Sequence, residues 1–233
     1  MAALYLTLEP ILRGTRPVVL ISWMRLLDGR LRDARVGRDV LAGLAWGAGI
    51  HLLGVLAVLA SMRFTHQPID PAIVDSSGSQ TDALMGTAWA VVVLLSAPIS
   101  ALQVSLSMAA VLGLCTRVFR GNTALSIAGS IAFGMLILGG NANGLGGLLF
   151  QLVSVTTLVV LMVRMGLVTM LVCCSVLFAL PTIPLVFPGE SWYWNTTAVM
   201  LGCLAALAAW GLNAARSHRA FVRGPDGTTY LPL

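Results

Sequence analysis

ALMGTAWAVVVLLSAPISALQVSLSMAAVLGL, residues 83–114, runs for 32 positions without a charged side chain. A helix crossing the hydrocarbon of a bilayer needs about 20 predominantly apolar residues. This run exceeds that length but is too short for two crossings and a loop, so it reads as one long helix whose cytoplasmic end protrudes. Pro98 lies near its middle and removes one backbone hydrogen bond, which predicts a kink there. The rest of the chain has the same character. Its 233 residues are 58% hydrophobic and 10% charged, with a mean hydropathy of +0.90, whereas a soluble domain carries about 25% charged residues. A water-soluble enzyme, a disordered chain and a disulfide-stapled secreted module are thereby excluded. The four cysteines, Cys115, Cys173, Cys174 and Cys203, show no CxxC or metal-ligand spacing and read as small core hydrophobes.

Working outward from residues 83–114, five further apolar runs are bounded by charge or by Gly, Pro and Asn. The expected fold is an all-α polytopic membrane helix bundle of about six spans, 40–62, 83–114, 123–139, 145–163, 165–180 and 196–212. An N-terminal segment, 1–39, precedes the bundle and a tail, 213–233, follows it. The weak joint is Val163–Gly166, where a tight cytoplasmic hairpin beside Arg164 is preferred over one helix covering 145–180, which is too long for an ordinary bilayer.

Charge provides an independent check, because cytoplasmic segments collect Arg and Lys. All 14 basic residues are Arg. With the N-terminus inside, residues 1–39, 115–122, 164 and 214–233 hold 7, 2, 1 and 3 of them, 13 in all. The outer segments hold Arg63 against Asp70, Asp75, Asp82 and Glu190. The pattern predicts both termini in the cytoplasm and a multi-pass protein of the plasma (inner) membrane.

Within 1–39, residues 1–8 are apolar and resemble the end of a spanning helix. Residues 18–39 predict an amphipathic helix and a defined turn into the first span. Val19, Ile21, Trp23, Leu26 and Leu27 can share a face, with Arg25, Asp28 and Arg30 elsewhere. Packing on the cytoplasmic end of the bundle is the preferred reading. The sharper one is an interfacial docking surface, in which Trp23 buries against the acyl boundary while Arg25, Arg30, Arg32, Arg35 and Arg38 reach headgroups or a partner's acidic face. The 63–82 loop, the GGNANGLGG turn at 139–147 and the Ser191-Trp192-Tyr193-Trp194 aromatic anchor complete the exterior.

Residues 3–43 resemble the start of the membrane region of certain bacterial serine/threonine protein kinases, and the resemblance covers about residues 3–212 with specific motifs at the two ends. The matching residues are Leu8-Glu9-Pro10, Ser22-Trp23, Arg25-Leu26-Leu27, Gly29-Arg30, Arg32-Asp33 and Val36-Gly37-Arg38-Asp39, with Ser191-Trp192-Tyr193 similar at the far end. In that family a cytoplasmic catalytic domain precedes a polytopic membrane region. The resemblance implies such a region here, without the catalytic domain and with the preceding span reduced to residues 1–8. It implies no kinase activity, since no HRD, DFG or VAIK lysine is present.

Polar residues inside a membrane are functional candidates by default. His51 is the ionisable side chain within a span. With no acidic residue or second His in any other span, a metal site has too few ligands, and a neutral His hydrogen-bonded to a neighbouring helix is expected. Gln103 and Gln151 join Ser96, Ser100, Ser105, Ser107, Ser126, Ser130, Ser154, Thr156 and Thr157 as candidates for interhelical hydrogen bonds or for lining a polar path. No P-loop, GxGxxG, HExxH or GxSxG motif occurs. The expectation is a non-enzymatic membrane module that anchors, senses or assembles, with the bilayer and a cytoplasmic kinase or other protein as partners. It needs no cofactor, metal or nucleic acid. The alternative is a small transporter or channel using the polar side chains of spans two and four.

Overall fold

A computed structural model describes residues 18–29, 33–65, 87–120, 122–138, 144–182 and 194–217. Expectations for residues 1–17, Arg30, Arg32, most of the 63–82 loop, the start of the glycine-rich turn, Ser191 to Tyr193 and the last sixteen positions fall outside these. The described chain is all helical: α1 (Val18–Leu27), α2 (Ala34–Thr65), α3 (Thr87–Val118), α4 (Thr123–Leu138), α5 (Gly144–Arg164), α6 (Leu167–Ala179) and α7 (Trp194–Ser217). The protein is a membrane helix bundle. Four helices, α2, α3, α5 and α7, are long and apolar enough to cross a membrane, while α4 and α6 are apolar but shorter. At 1.5 Å per residue, the 32 residues of α2 or α3 reach about 48 Å and project beyond a hydrocarbon core of about 30 Å. The 13 residues of α6 reach only about 20 Å. α3 continues as one helix through Pro98.

Helix ends are fixed by local chemistry. Asp33 caps α2, its Oδ1 accepting the Arg35 N–H at 2.8 Å and its carbonyl accepting the Gly37 N–H at 3.0 Å. Such a cap satisfies amides that the first helical turn leaves unpaired. Asn122 does the same for α4, its Oδ1 accepting from Ala124 at 3.2 Å. Between α5 and α6 the helix is broken at Gly166, with φ 106° and ψ −176°, a backbone region open essentially to glycine alone.

Close approaches show which way each helix runs. Gly37 of α2 lies against Ala214 and Ala215 of α7, Gly43 against Thr169 and Val172 of α6, Gly47 against Cys173 and Val176, and Gly54 against Phe150 of α5. Thus α6 runs parallel to α2, and α5 and α7 run antiparallel to it. Gly129 of α4 meets Cys115 and Phe119, and Gly134 meets Met108 of α3 and Val155 of α5. Val93 and Ala97 of α3 cluster with Val176, Ala179 and Leu180 at the far end of α6. From α2 to α7 the direction therefore alternates at every step. One end of the bundle gathers Ala34, the α3–α4 and α5–α6 turns and Ser217. The opposite end gathers Thr65, Thr87, Leu138, Gly144, Ala179 and Trp194.

The shortest bundle helix is also the most enclosed. On α6, Leu167, Val168, Thr169, Met170, Val172, Cys173, Cys174, Val176 and Ala179 are all buried, among residues of α1, α2, α3, α5 and α7. A helix apolar all round belongs in a core, and its Thr, Ser and Cys side chains are slim enough for neighbours to come close. All four cysteines are free thiols. Cys173 and Cys174 are core residues as expected, Cys115 is half-buried, and Cys203 is exposed on α7, which corrects its assignment to the core.

Candidate functional site

The end of the bundle that holds Ala34 and Ser217 carries the most chemistry. α1 packs there against α2, α5 and α6 and ends in a turn at Asp28 and Gly29, where Gly29 takes φ 74°. Two polar contacts hold it there. The Ser22 hydroxyl donates to the Asp39 carboxylate in a buried position, and Arg25 Nη1 donates to Asp33 Oδ2 at 2.7 Å. Asp33 therefore caps α2 with one oxygen and holds α1 with the other. Trp23 packs against the Val36, Val40, Val168 and Val172 cluster and against the main core. Its face is turned to the bundle, so the reading in which Trp23 buries against acyl chains is corrected in favour of packing on the bundle end. The physical reason is the burial of Ser22 and Asp39 beside it, which fixes the roll of α1 about its axis. The indole Nε1 is buried without a hydrogen-bond partner, as is the Thr169 hydroxyl in the first turn of α6.

The arginines divide into two groups. Arg25 is engaged by Asp33, and Arg35 is half-buried on α2. Arg38 is exposed, and so are Arg117, Arg120, Arg164 and Arg216 at the same end. Arg120 closes α3 with φ 49°, its N–H bonded to the Arg117 carbonyl at 3.2 Å. The exposed cationic groups thus come from α2, from the α3–α4 and α5–α6 turns and from α7. Reading 18–39 in isolation missed these last four as members of one surface, although the count of arginines per loop already placed them on one side. Among the described residues, Arg63 alone stands at the opposite end.

The membrane-embedded polar residues are arranged differently from expectation. His51 is half-buried in the middle of α2, and it makes no hydrogen bond to a described residue. The described residues contain no cluster of three or more potential metal ligands. Several hydroxyls turn back to their own helix: Ser96 to Val93 at 3.0 Å, Ser107 to Gln103 at 2.8 Å, Ser126 to Asn122 at 2.8 Å, Ser130 to Ser126 at 2.8 Å, Ser154 to Phe150 at 2.8 Å and Thr157 to Val153 at 2.7 Å. The carbonyl one turn back is always within reach in a helix, so these groups need no neighbour. Ser105 is buried beside the Cys174 thiol. Gln151 is half-buried on the stripe that continues through Val155, Leu158 and Met162. Gln103 is exposed on the outer side of α3. The two amides therefore do not face a common interior.

No protein-family model, curated protein or solved structure matches the chain.

Proposed function

We propose that the chain is a non-enzymatic membrane module, and that its arginine-rich end is a cytoplasmic docking face for a protein it anchors, assembles or signals to. The observation that carries this reading is the gathering of exposed Arg38, Arg117, Arg120, Arg164 and Arg216 at one end of the bundle. Cytoplasmic segments accumulate arginine, which favours a plasma-membrane protein with this end inside. The alternation of helix direction favours six crossings, the short α4 and α6 being shielded by longer neighbours. Residues that resemble the membrane region of bacterial serine/threonine kinases make a cytoplasmic kinase the first partner to test. In that reading Ser22 and Asp39, both within the resemblance, serve to hold α1 across the docking face. A transport role gains no support from the placement of Gln103 and Gln151 on unrelated faces.

The test is affinity purification of the full chain from membranes in mild detergent, compared with a variant carrying Arg38, Arg117, Arg164 and Arg216 changed to Ser. Each arginine near an anionic surface contributes on the order of 1 kcal/mol, so four removals should reduce recovery of a cytoplasmic partner by at least about tenfold. The variant should keep the helicity and detergent elution volume of the parent, because these side chains lie outside the core. Equal recovery by both proteins, or no cytoplasmic protein recovered by the parent, would remove the docking reading.

A further inference from the structure

The outer face of α3 carries an unpaired amide midway along the helix. Val92, Ser96, Ile99 and Gln103 recur at helical spacing, and all are exposed, Ile99 to 65%. Gln103 lies 16 residues from Thr87 and 15 from Val118, so it sits at the middle of the helix. On the neighbouring helices, exposed positions halfway along the bundle include Leu53, Val55 and Leu56 on α2, Phe133 on α4 and Leu152 and Val153 on α5, all apolar. The remaining exposed amides and charges of the described residues lie nearer the helix ends. Ser96 and Ser107 are satisfied by carbonyls of α3 itself, the latter by the backbone of Gln103, but the Gln103 carboxamide has no hydrogen bond to any described residue. Hydrocarbon offers it neither donor nor acceptor.

We propose that this face of α3 pairs with the same face of a second copy, with the two Gln103 carboxamides hydrogen-bonded to each other across a two-fold axis. A carboxamide carries two N–H donors and a carbonyl acceptor, so it is complementary to itself. In an isologous pair the carbonyl of each copy accepts from the amide of the other. That self-complementarity is the reason for choosing a second copy over an unrelated helix, which would have to supply a matching group of its own. Ser96 and Ser100 beside Gln103 have short side chains, which lets two such helices approach closely. The pairing uses the lipid-facing middle of α3 and is independent of what docks at the arginine-rich end.

The experiment uses the full chain in membranes with Cys115 and Cys203 replaced by Ala, leaving the buried Cys173 and Cys174 in place. In that background Q103C should form a disulfide-linked homodimer on mild oxidation, whereas Leu136→Cys, on α4 and 78% exposed, should not. In parallel, energy transfer between two fluorescently tagged populations is followed as liposomes of phosphatidylcholine and phosphatidylglycerol dilute the protein. Replacement by Q103L, which fits a lipid-facing position, should weaken association by about tenfold, and Q103N should restore most of it. A Q103C signal no greater than that of Leu136→Cys overturns the proposal. So do identical dilution curves for the parent and Q103L, or crosslinking of position 103 to a different protein.

Discussion

Replacing Gly43 by Leu is expected to break the bundle, and Gly47→Leu to do nearly as much damage. A Cβ at position 43 would lie 2.7 Å from the Thr169 carbonyl oxygen and 2.7 Å from Val172 Cβ. At position 47 it would lie 2.8 Å from Val176 Cβ and 2.9 Å from the Cys173 carbonyl oxygen. Inserting extra methylenes into packed cores costs about 1–3 kcal/mol when side chains can shift. Here the obstacle is partly backbone, so no rotamer change relieves it, and α2 must separate from α6. Because α6 also packs against α1, α3 and α5, the loss propagates through the whole core. The measurement is the monodisperse fraction and thermal midpoint of purified protein in detergent, which should collapse for Gly43→Leu. Gly49→Leu and Gly202→Leu are the matched controls, since no heavy atom lies within 4 Å of a Cβ at either site. Those two should remain folded. Normal behaviour of Gly43→Leu would mean that α2 and α6 are not in contact.

The second large effect is expected at the corner between α1 and α2. Asp39→Ala removes the acceptor for the buried Ser22 hydroxyl, and a hydrogen bond to a charged group contributes about 1.5–3 kcal/mol. Asp33→Ala removes the cap of α2, worth about 1 kcal/mol. It also removes the Arg25 ion pair, which adds little because Arg25 is 39% exposed. The double variant should release α1 from the bundle while α2 to α7 stay assembled. Trypsin should then cleave at Arg25, which α1 packing otherwise protects, with a rate at least about tenfold higher than in the parent. A double-mutant cycle on Ser22→Ala and Asp39→Ala should show coupling between the two sites. Additive effects and an unchanged cleavage rate would mean that Trp23 alone holds α1.

Much of the architecture can be read from hydropathy, because uncharged runs such as 83–114 have few alternatives to a membrane helix. The helix ends cannot be read that way. α2 begins at Ala34, six residues before the apolar run at 40, because Asp33 caps it there and Arg35, Arg38 and Asp39 are helical without being apolar. α3 and α7 likewise run on to Val118 and Ser217 through arginine-bearing last turns. Nor does hydropathy separate core from lipid, since a residue facing acyl chains and one facing another helix are both apolar. The enclosure of α6 within its neighbours was therefore hidden in LVTMLVCCSVLFA, and so was the Gly43–Gly47 contact that makes room for it. The turn at Gly166 was legible, because Arg164 followed by glycine interrupts an otherwise overlong apolar stretch.

The candidate site was legible in its charge and less so in its orientation. The Ser22-Trp23-Met24-Arg25 helix permits either a lipid-facing or a bundle-facing Trp23. The choice is made by Asp33 and Asp39, whose role depends on a turn at Gly29 that folds α1 back onto α2. Polar residues within spans were harder still. The rule that they face inward suits Gln151 but not Gln103, and the Ser and Thr hydroxyls form bonds within single helices that carry no information about neighbours.

We propose that the helices alternate across the bilayer so that Arg38, Arg117, Arg164 and Arg216 share one side and Arg63 lies on the other. Single-cysteine substitution at each of these five positions, in the background lacking Cys115 and Cys203, followed by a membrane-impermeant maleimide on intact cells, reports the side on which each lies. Labelling of Arg63→Cys is expected from outside, and labelling of the other four only after the cells are permeabilised. Labelling of Arg164→Cys or Arg216→Cys together with Arg63→Cys in intact cells would contradict it.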